Sequence, residues 1–263
     1  VYKRQVYANK MGVVIDVAFG AEGIAYVSMM LDGSVQRVDP RTGKTLGVFT
    51  SGGGLTRATG LTFGPDGNLY VCSSGDDRIL RYDGATGGIL GEFAIGITRP
   101  EDILFGPDGL AYVTQSSGSD VLRFDGETGA FVDSLSSGGL LSDTRSMAFG
   151  PDGALYVSGN ASANVVRFDL QGSRRPTLFG TGIAGANGLA FGPDGNLYVA
   201  SESGEAILQL EERGRQRVFA QVTSPIGIAI APVPEPTPAL MFLVAGGVCL
   251  FAARRRDRIR RAD

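Results

Sequence analysis

The stretch Gly188-Leu-Ala-Phe-Gly-Pro-Asp-Gly-Asn-Leu-Tyr-Val-Ala200 decides the fold, because the chain repeats it. Leu61-Thr-Phe-Gly-Pro-Asp-Gly-Asn-Leu-Tyr-Val71, Ile103-Leu-Phe-Gly-Pro-Asp-Gly-Leu-Ala-Tyr-Val113 and Met147-Ala-Phe-Gly-Pro-Asp-Gly-Ala-Leu-Tyr-Val157 are near-copies. Val17-Ala-Phe-Gly-Ala-Glu-Gly-Ile-Ala-Tyr-Val27 is a more worn first copy. Phe19, Phe63, Phe105, Phe149 and Phe191 stand 44, 42, 44 and 42 residues apart. Ile226-Gly-Ile-Ala-Ile-Ala-Pro232 starts a sixth copy, with Ile230 in the phenylalanine slot, and then stops. Short strands repeating at a period of about 40–50 residues indicate the blades of a β-propeller.

Within the second copy, Gly60–Phe63, Asn68–Cys72, Arg78–Tyr82 and Ile89–Phe93 read as four strands. Gly64-Pro-Asp-Gly67 turns the chain between the first two: Pro presets φ, Asp tolerates the bend and Gly accepts a positive φ. A second turn, Asp83-Gly-Ala-Thr-Gly87, recurs as Asp39-Pro-Arg-Thr-Gly43 and Asp125-Gly-Glu-Thr-Gly129, and more loosely at Asp169-Leu-Gln-Gly172. These Asp-rich turns lack the ligand density of a dedicated calcium loop, and turn chemistry explains them. A blade cannot bury its apolar face alone, so the array must close on itself.

The 263 residues suit one all-β domain, and 40 glycines suit tight turns. The chain has no His, which removes a Ser-His-Asp triad, a His-ligated zinc and an imidazole base. Cys72 and Cys249 lie in different segments and are not expected to pair. The net charge of −3 hides an asymmetry. Arg254 to Asp263 carries six Arg and two Asp, leaving 18 basic and 25 acidic residues and a net −7 elsewhere. An acidic body argues against general nucleic-acid binding.

Both ends depart from the repeat. Val1-Tyr-Lys-Arg-Gln5 resembles the translated end of a transposase sequencing adapter, an ordinary polar N-terminus being the alternative. On the first reading, an export signal is expected upstream. At the other end, Val233-Pro234-Glu235-Pro236 precedes fifteen uncharged residues, Ala239 to Ala253, and then Arg254-Arg255-Arg256. The apolar run is short beside the ~20 residues that cross a bilayer comfortably, but the arginines supply a cytoplasmic anchor. A C-terminal transmembrane helix over 239–253 is expected.

The Gly-Leu-Ala-Phe-Gly-Pro-Asp-Gly-Asn-Leu-Tyr-Val pattern resembles NHL-repeat propellers and their gluconolactonase-like (regucalcin-like) relatives, over residues 14–232. The resemblance implies six blades, five full repeats plus one strand here and the rest from the other chain end; five blades with a spare strand is the alternative. It also places a ligand over the central channel, on the face of the fourth-to-first and second-to-third strand loops. Four residues before the phenylalanine slot stand Ile15, Thr59, Glu101, Arg145, Asn187 and Ile226, followed by Asp16, Gly60, Asp102, Ser146, Gly188 and Gly227. In gluconolactonase-like propellers the first column holds a divalent ion. Glu101 and Asn187 match it in type; Ile15, Arg145 and Ile226 do not. Arg145 would repel a cation and pair with Glu101 instead. The candidate binding residues are therefore Arg57, Arg99, Glu101, Asp102, Arg145 and Asn187, with no catalytic residue, metal ligand or cofactor expected. Calcium is the ion the resemblance would allow.

The order Pro-Glu-Pro, apolar run, Arg cluster (residues 233–263, arginines within 254–261) resembles the PEP-CTERM sorting signal. That resemblance implies a Gram-negative bacterium, an inner-membrane anchor, and cleavage by exosortase near Pro234, Glu235 and Pro236. The expected protein is an exported, non-catalytic binding or scaffolding propeller of the cell surface or exopolysaccharide matrix. The alternative is a calcium-dependent lactonase-like hydrolase or lyase using Glu101, Asn187 and Asp16.

Overall fold

A computed structural model describes residues 3–6, 13–172, 174–212, 214–230, 240–243 and 248–251, with side chains over 13–172, 174–212 and 214–230. A short strand β1 (Lys3–Val6) comes first. Then come five consecutive four-stranded antiparallel meanders. Blade one is β2–β5 (Val14–Phe19, Ala25–Met29, Ser34–Val38, Thr45–Thr50) and blade two β6–β9 (Ala58–Phe63, Leu69–Ser73, Arg78–Tyr82, Ile89–Ile95). Blade three is β10–β13 (Pro100–Phe105, Leu110–Gln115, Val121–Asp125, Phe131–Leu135) and blade four β14–β17 (Thr144–Phe149, Leu155–Gly159, Asn164–Phe168, Pro176–Thr181). Blade five is β18–β21 (Ala186–Phe191, Leu197–Ser201, Ala206–Leu210, Gln216–Gln221). The first strands adjoin one another in order, and β22 (Gly227–Ile230) fits between β18 and β2, closing the ring around a channel.

The motif's residues each have a task at the blade-to-blade joint. Burial removes the tyrosines from water, and each phenol then needs an acceptor. The turn acid four residues earlier supplies it: Tyr70 donates to Asp66 (3.0 Å), Tyr112 to Asp108 (2.7 Å), Tyr156 to Asp152 (3.1 Å) and Tyr198 to Asp194 (2.9 Å). In the worn copy Tyr26 donates to Glu22 at 2.6 Å. Burial, with the Asp108 carboxylate beside it, pushes the Tyr112 phenol up to about 12. The rings of Tyr26, Tyr70 and Tyr156 stand edge-on to phenylalanines of their own fourth strand and of the next blade's first strand, whereas Tyr112 meets only Phe149 and Tyr198 only Phe219. Tyr70 lies 4.9 Å from Phe93 and 4.8 Å from Phe105; Tyr156 lies 4.9 Å from both Phe179 and Phe191. Leu135 stands in the fourth-strand slot of blade three. Ile230 replaces the next-blade phenylalanine beside Tyr198, in the joint between blade five and β22.

The glycine after each phenylalanine makes room for that ring. A Cβ on Gly64, Gly106, Gly150 or Gly192 would lie 2.6 Å from Cε2 of the following tyrosine. The second turns behave as turn chemistry requires: Asp83 and Asp125 accept from the backbone and hydroxyl of Thr86 and Thr128, and their carboxyls lie below the usual range for that reason.

Two expectations are corrected. The structure has five repeat blades, not six. Past Ile230 the sequence has no Gly-Pro-Asp-Gly turn with which to fold back a meander. The neighbours of β22 are instead β24 (Val248–Phe251), β23 (Leu240–Leu243) and β1, with two of the three pairings parallel. That sheet mixes both chain ends but is no copy of a blade. Nor do the described residues of 239–253 form a helix: they are the strands β23 and β24. A glycine pair interrupts the run at Gly246-Gly247, and the unpaired edge of β22 offers a backbone partner that a helix would leave unsatisfied. No helix among the described residues is long and apolar enough to cross a membrane. Pro234, Glu235, Pro236 and Arg254–Arg256 lie outside the described residues.

The tight joint makes a specific demand. Gly106→Ala should destabilise the fold by about 1–3 kcal/mol, the usual cost of overpacking, since the new methyl meets Tyr112 and Asp108. Gly52→Ala, with nothing within 4 Å of its Cβ, should be close to neutral. Chemical denaturation of the two variants side by side checks this; equal losses would contradict it.

Candidate functional site

The second column of the sequence reading is a latch between first strands. Asp16 Oδ2 accepts the Leu61 N–H (3.1 Å), Asp102 Oδ2 accepts that of Met147 (2.8 Å) and Ser146 Oγ that of Leu189 (3.3 Å). Each bond runs from one blade to the next. Where the column holds glycine, the backbones themselves close the gap. A Cβ on Gly60 would lie 2.5 Å from Asp102 Cα, and the Gly188 N–H donates directly to Ile226 O at 2.7 Å. The two carboxyls are costly tenants of a dry channel. Burial raises Asp16 to about 6, against partial relief from the backbone N–H groups of Leu61 and Val17. Asp102 is raised well above its usual value too, first by burial and then by the charge of Asp16. Burial, with Asp102, Glu101 and Asp16 adding, also pushes the enclosed Cys72 thiol well up.

The first column lies at the channel mouth. Arg145 reaches Glu101 at 3.2 Å and Asp143 at 2.8 Å, so the expected pairing of Glu101 with Arg145 is present and gains a third member. Burial raises the Glu101 carboxyl, with Arg145 opposing the rise. Burial works against the Arg145 charge too, but Glu101 and Asp143 outweigh it and its pKa is raised. Arg145 Nε, Asp143 Oδ1 and Ser74 Oγ are buried without a hydrogen-bond partner in the protein. Asn187 is not part of this group; its amide donates to Glu202 Oε2 at 3.1 Å. Thr59 turns away to donate to Pro100 O at 2.8 Å. Asp102 belongs to the latch beneath, not to the mouth. Among the described residues no three acidic or cysteine side chains are grouped to hold a metal ion.

The backbone at the rim leaves almost no mark in the sequence. Arg57 (φ 50°), Arg99 (φ 47°), Asp143 (φ 57°) and Ser224 (φ 44°) are all left-handed. Such residues cost about 1–3 kcal/mol each unless held in place. Here a repeated bond holds them. The carbonyls of Arg57, Arg99 and Asp143 accept the N–H of Ser74 (3.3 Å), Ser116 (3.1 Å) and Asn160 (2.9 Å), the first residues of the second-to-third loops. Gly185, which occupies the slot in blade five, was the one visible signal. The Arg57 and Arg99 side chains are exposed at the rim.

With this geometry in view, residues 31–179 match the family model of the outer membrane protein assembly factor BamB. The chain belongs to the BamB-type propellers. No curated protein matches it. Among solved structures, the propeller is similar to selenomethionine-substituted virginiamycin B lyase from Staphylococcus aureus (19% identity, TM-score 0.64), over 89% of this chain and 75% of the lyase. PQQ-bound aldose sugar dehydrogenase from Streptomyces coelicolor is similar at 17% identity and TM-score 0.66, over 85% of this chain and 86% of the dehydrogenase. The nidogen/laminin complex contains a further match, at 17% identity and TM-score 0.64, over 76% of each chain. At these identities the likeness is one of fold, and the fold serves enzymes and binding proteins alike.

The buried acids give this BamB-type propeller a signature in pH. The folded values of Asp16, Asp102 and Glu101 lie above their ordinary ones, so the folded state binds protons more tightly and loses stability as pH rises through those values. The loss attributable to Asp16 runs from its ordinary value of 3.8 up to its folded value of about 6. Denaturation midpoints should fall between pH 5 and pH 8, and Asp102→Asn should flatten that fall while keeping an acceptor for Met147. A midpoint that rises over this range, or an unchanged slope in the variant, would contradict the assignment.

Proposed function

We propose that the chain is an exported, non-catalytic propeller that binds or scaffolds components of the cell surface or exopolysaccharide matrix. The observation that carries this reading is the Arg145–Glu101–Asp143 group. A guanidinium engaged by two carboxylates stands where the gluconolactonase-like relatives place a cation, and it spends the mouth's best acid on an ion pair. What is left for a ligand is the rim. Arg57 and Arg99 project there from a rigidly held backbone, and a guanidinium is suited to the carboxylates of acidic glycans. The unpartnered Ser74, Asp143 and Arg145 atoms below offer hydrogen bonds to a polar ligand. Membership of a family named for an assembly factor supports a protein that works by binding.

The enzyme reading has a specific observation of its own: carboxyls with raised pKa values lie in the channel. Against it, a His-to-Ala variant of the structurally similar lyase is catalytically inactive, and this chain has no His.

The C-terminal segment supplies the address. Pro234-Glu235-Pro236, the uncharged run and Arg254-Arg255-Arg256 stand in the order of a PEP-CTERM signal. On this reading exosortase cuts near the Pro-Glu-Pro motif, freeing the propeller for the surface.

Alginate serves as the test polyanion. The chain should bind it in a salt-sensitive manner, and Arg57→Ala with Arg99→Ala should weaken binding about tenfold, as losing two charge-assisted contacts would. Binding that ignores both salt and the substitutions, or no binding, would count against the glycan reading. Chelator-sensitive lactone hydrolysis lost in Glu101→Gln would replace it with the enzyme.

A further inference from the structure

On the opposite face of the ring a cavity of about 850 Å³ opens between blades four and five. It lies among the first-to-second turns and the second turn of blade five, away from the channel mouth. Its walls combine apolar surface from Tyr156, Phe179 and Phe191 with the side chains of Asp194, Glu212 and Arg215. Asp152, Arg167 and Glu211 complete the charged lining, making four carboxylates against two guanidiniums.

The repeat shows what is special here. The residue paired across from each motif tyrosine is Arg37, Arg81, Arg123 and Arg167 in the first four blades, and Gln209 in the fifth. In blade four the arginine neutralises its turn acid, Arg167 meeting Asp152 at 2.8 Å. In blade five the Gln209 amide donates to Asp194 Oδ2 at 2.9 Å and brings no charge. Arg217 is held one side chain back, its Nε donating to Gln209 Oε1 at 2.8 Å. The second turn departs in the same direction. Asp39, Asp83 and Asp125 spend their carboxylates capping their own turns. Glu211 meets the exposed Arg215 in a solvated i,i+4 pair worth little, and Glu212 lines the cavity beside it. Two independent breaks in an otherwise consistent repeat fall on one cavity, and such breaks mark functional positions.

We propose that this cavity binds an organic cation with a flat apolar body. The cation would meet Asp194 and Glu212, and the body would lie against the Phe179 and Phe191 edges. Asp194 accepts from Asn196, Tyr198 and Gln209, all neutral, and aromatic surface beside carboxylates that pair with no guanidinium among the described residues is the environment such a ligand requires. The site is independent of the channel mouth and of the glycan reading.

Calorimetric titration of the full chain with benzamidine, beside its neutral isostere benzamide, tests it. Benzamidine should bind at least about tenfold more tightly than benzamide, the margin one charge-assisted contact provides. Gln209→Arg restores the residue of the other four blades and should fold normally, yet it should remove that margin by neutralising Asp194. Glu212→Gln should reduce it with the melting temperature unchanged. Equal affinity for the two compounds, no binding of benzamidine, or undiminished preference in Gln209→Arg would each overturn the proposal.

Discussion

The structure depends on one buried tyrosine at each blade joint, standing edge-on to two phenylalanines at three joints and to one at the other two. It joins a blade to its neighbour through the ring and to its own turn through the hydroxyl. Remove the ring and two blades lose their shared core; remove the turn acid and a buried phenol is left without an acceptor, at a cost of about 1–3 kcal/mol. The glycine under the ring, the acid below the hydroxyl and the phenylalanine on the next first strand are consequences of that placement. The joint tolerates change where shape is kept, as Leu135 and Ile230 show by standing in for phenylalanine.

A second tie operates at the channel, where space is shortest. Side-chain acceptors from Asp16, Asp102 and Ser146 alternate with glycines that let backbones touch. The acids make good blade-to-blade bonds at the expense of desolvation, which makes both carboxyls hold their protons more tightly than usual. Above them the mouth is rigid for a different reason. Left-handed residues turn their carbonyls to the second-to-third loops, so the two sets of loops around the opening form one bonded rim. A rim of that kind presents side chains at fixed positions, which suits recognition more than movement.

Much of this was legible because the tyrosine joint repeats. Phenylalanine spacing gave the blades, and Gly-Pro-Asp-Gly gave the turns; Arg78–Tyr82 matches its strand to the residue. The pairing of Glu101 with Arg145 followed from placing opposite charges in adjacent copies of one column. Asp143 escaped notice as its partner because it sits in a loop and reaches Arg145 only through a left-handed backbone that Asp adopts without any sequence mark. Asn187 was grouped with Glu101 by type alone, whereas the blade spacing sends it to Glu202. The apolar tail was read as a helix from its hydropathy, a quantity blind to the open edge of β22. Gln209 passed unremarked, since its meaning lies in the arginines it replaces.

At the channel mouth Arg145 takes the place beside Glu101 that a cation would need. Calorimetric titration of the chain with calcium, beside Glu101→Gln, tests it most directly. The account predicts no binding heat in either protein. Heat fitting a single site in the native chain and vanishing in Glu101→Gln would show that the mouth holds a cation despite Arg145, and the claim would fall.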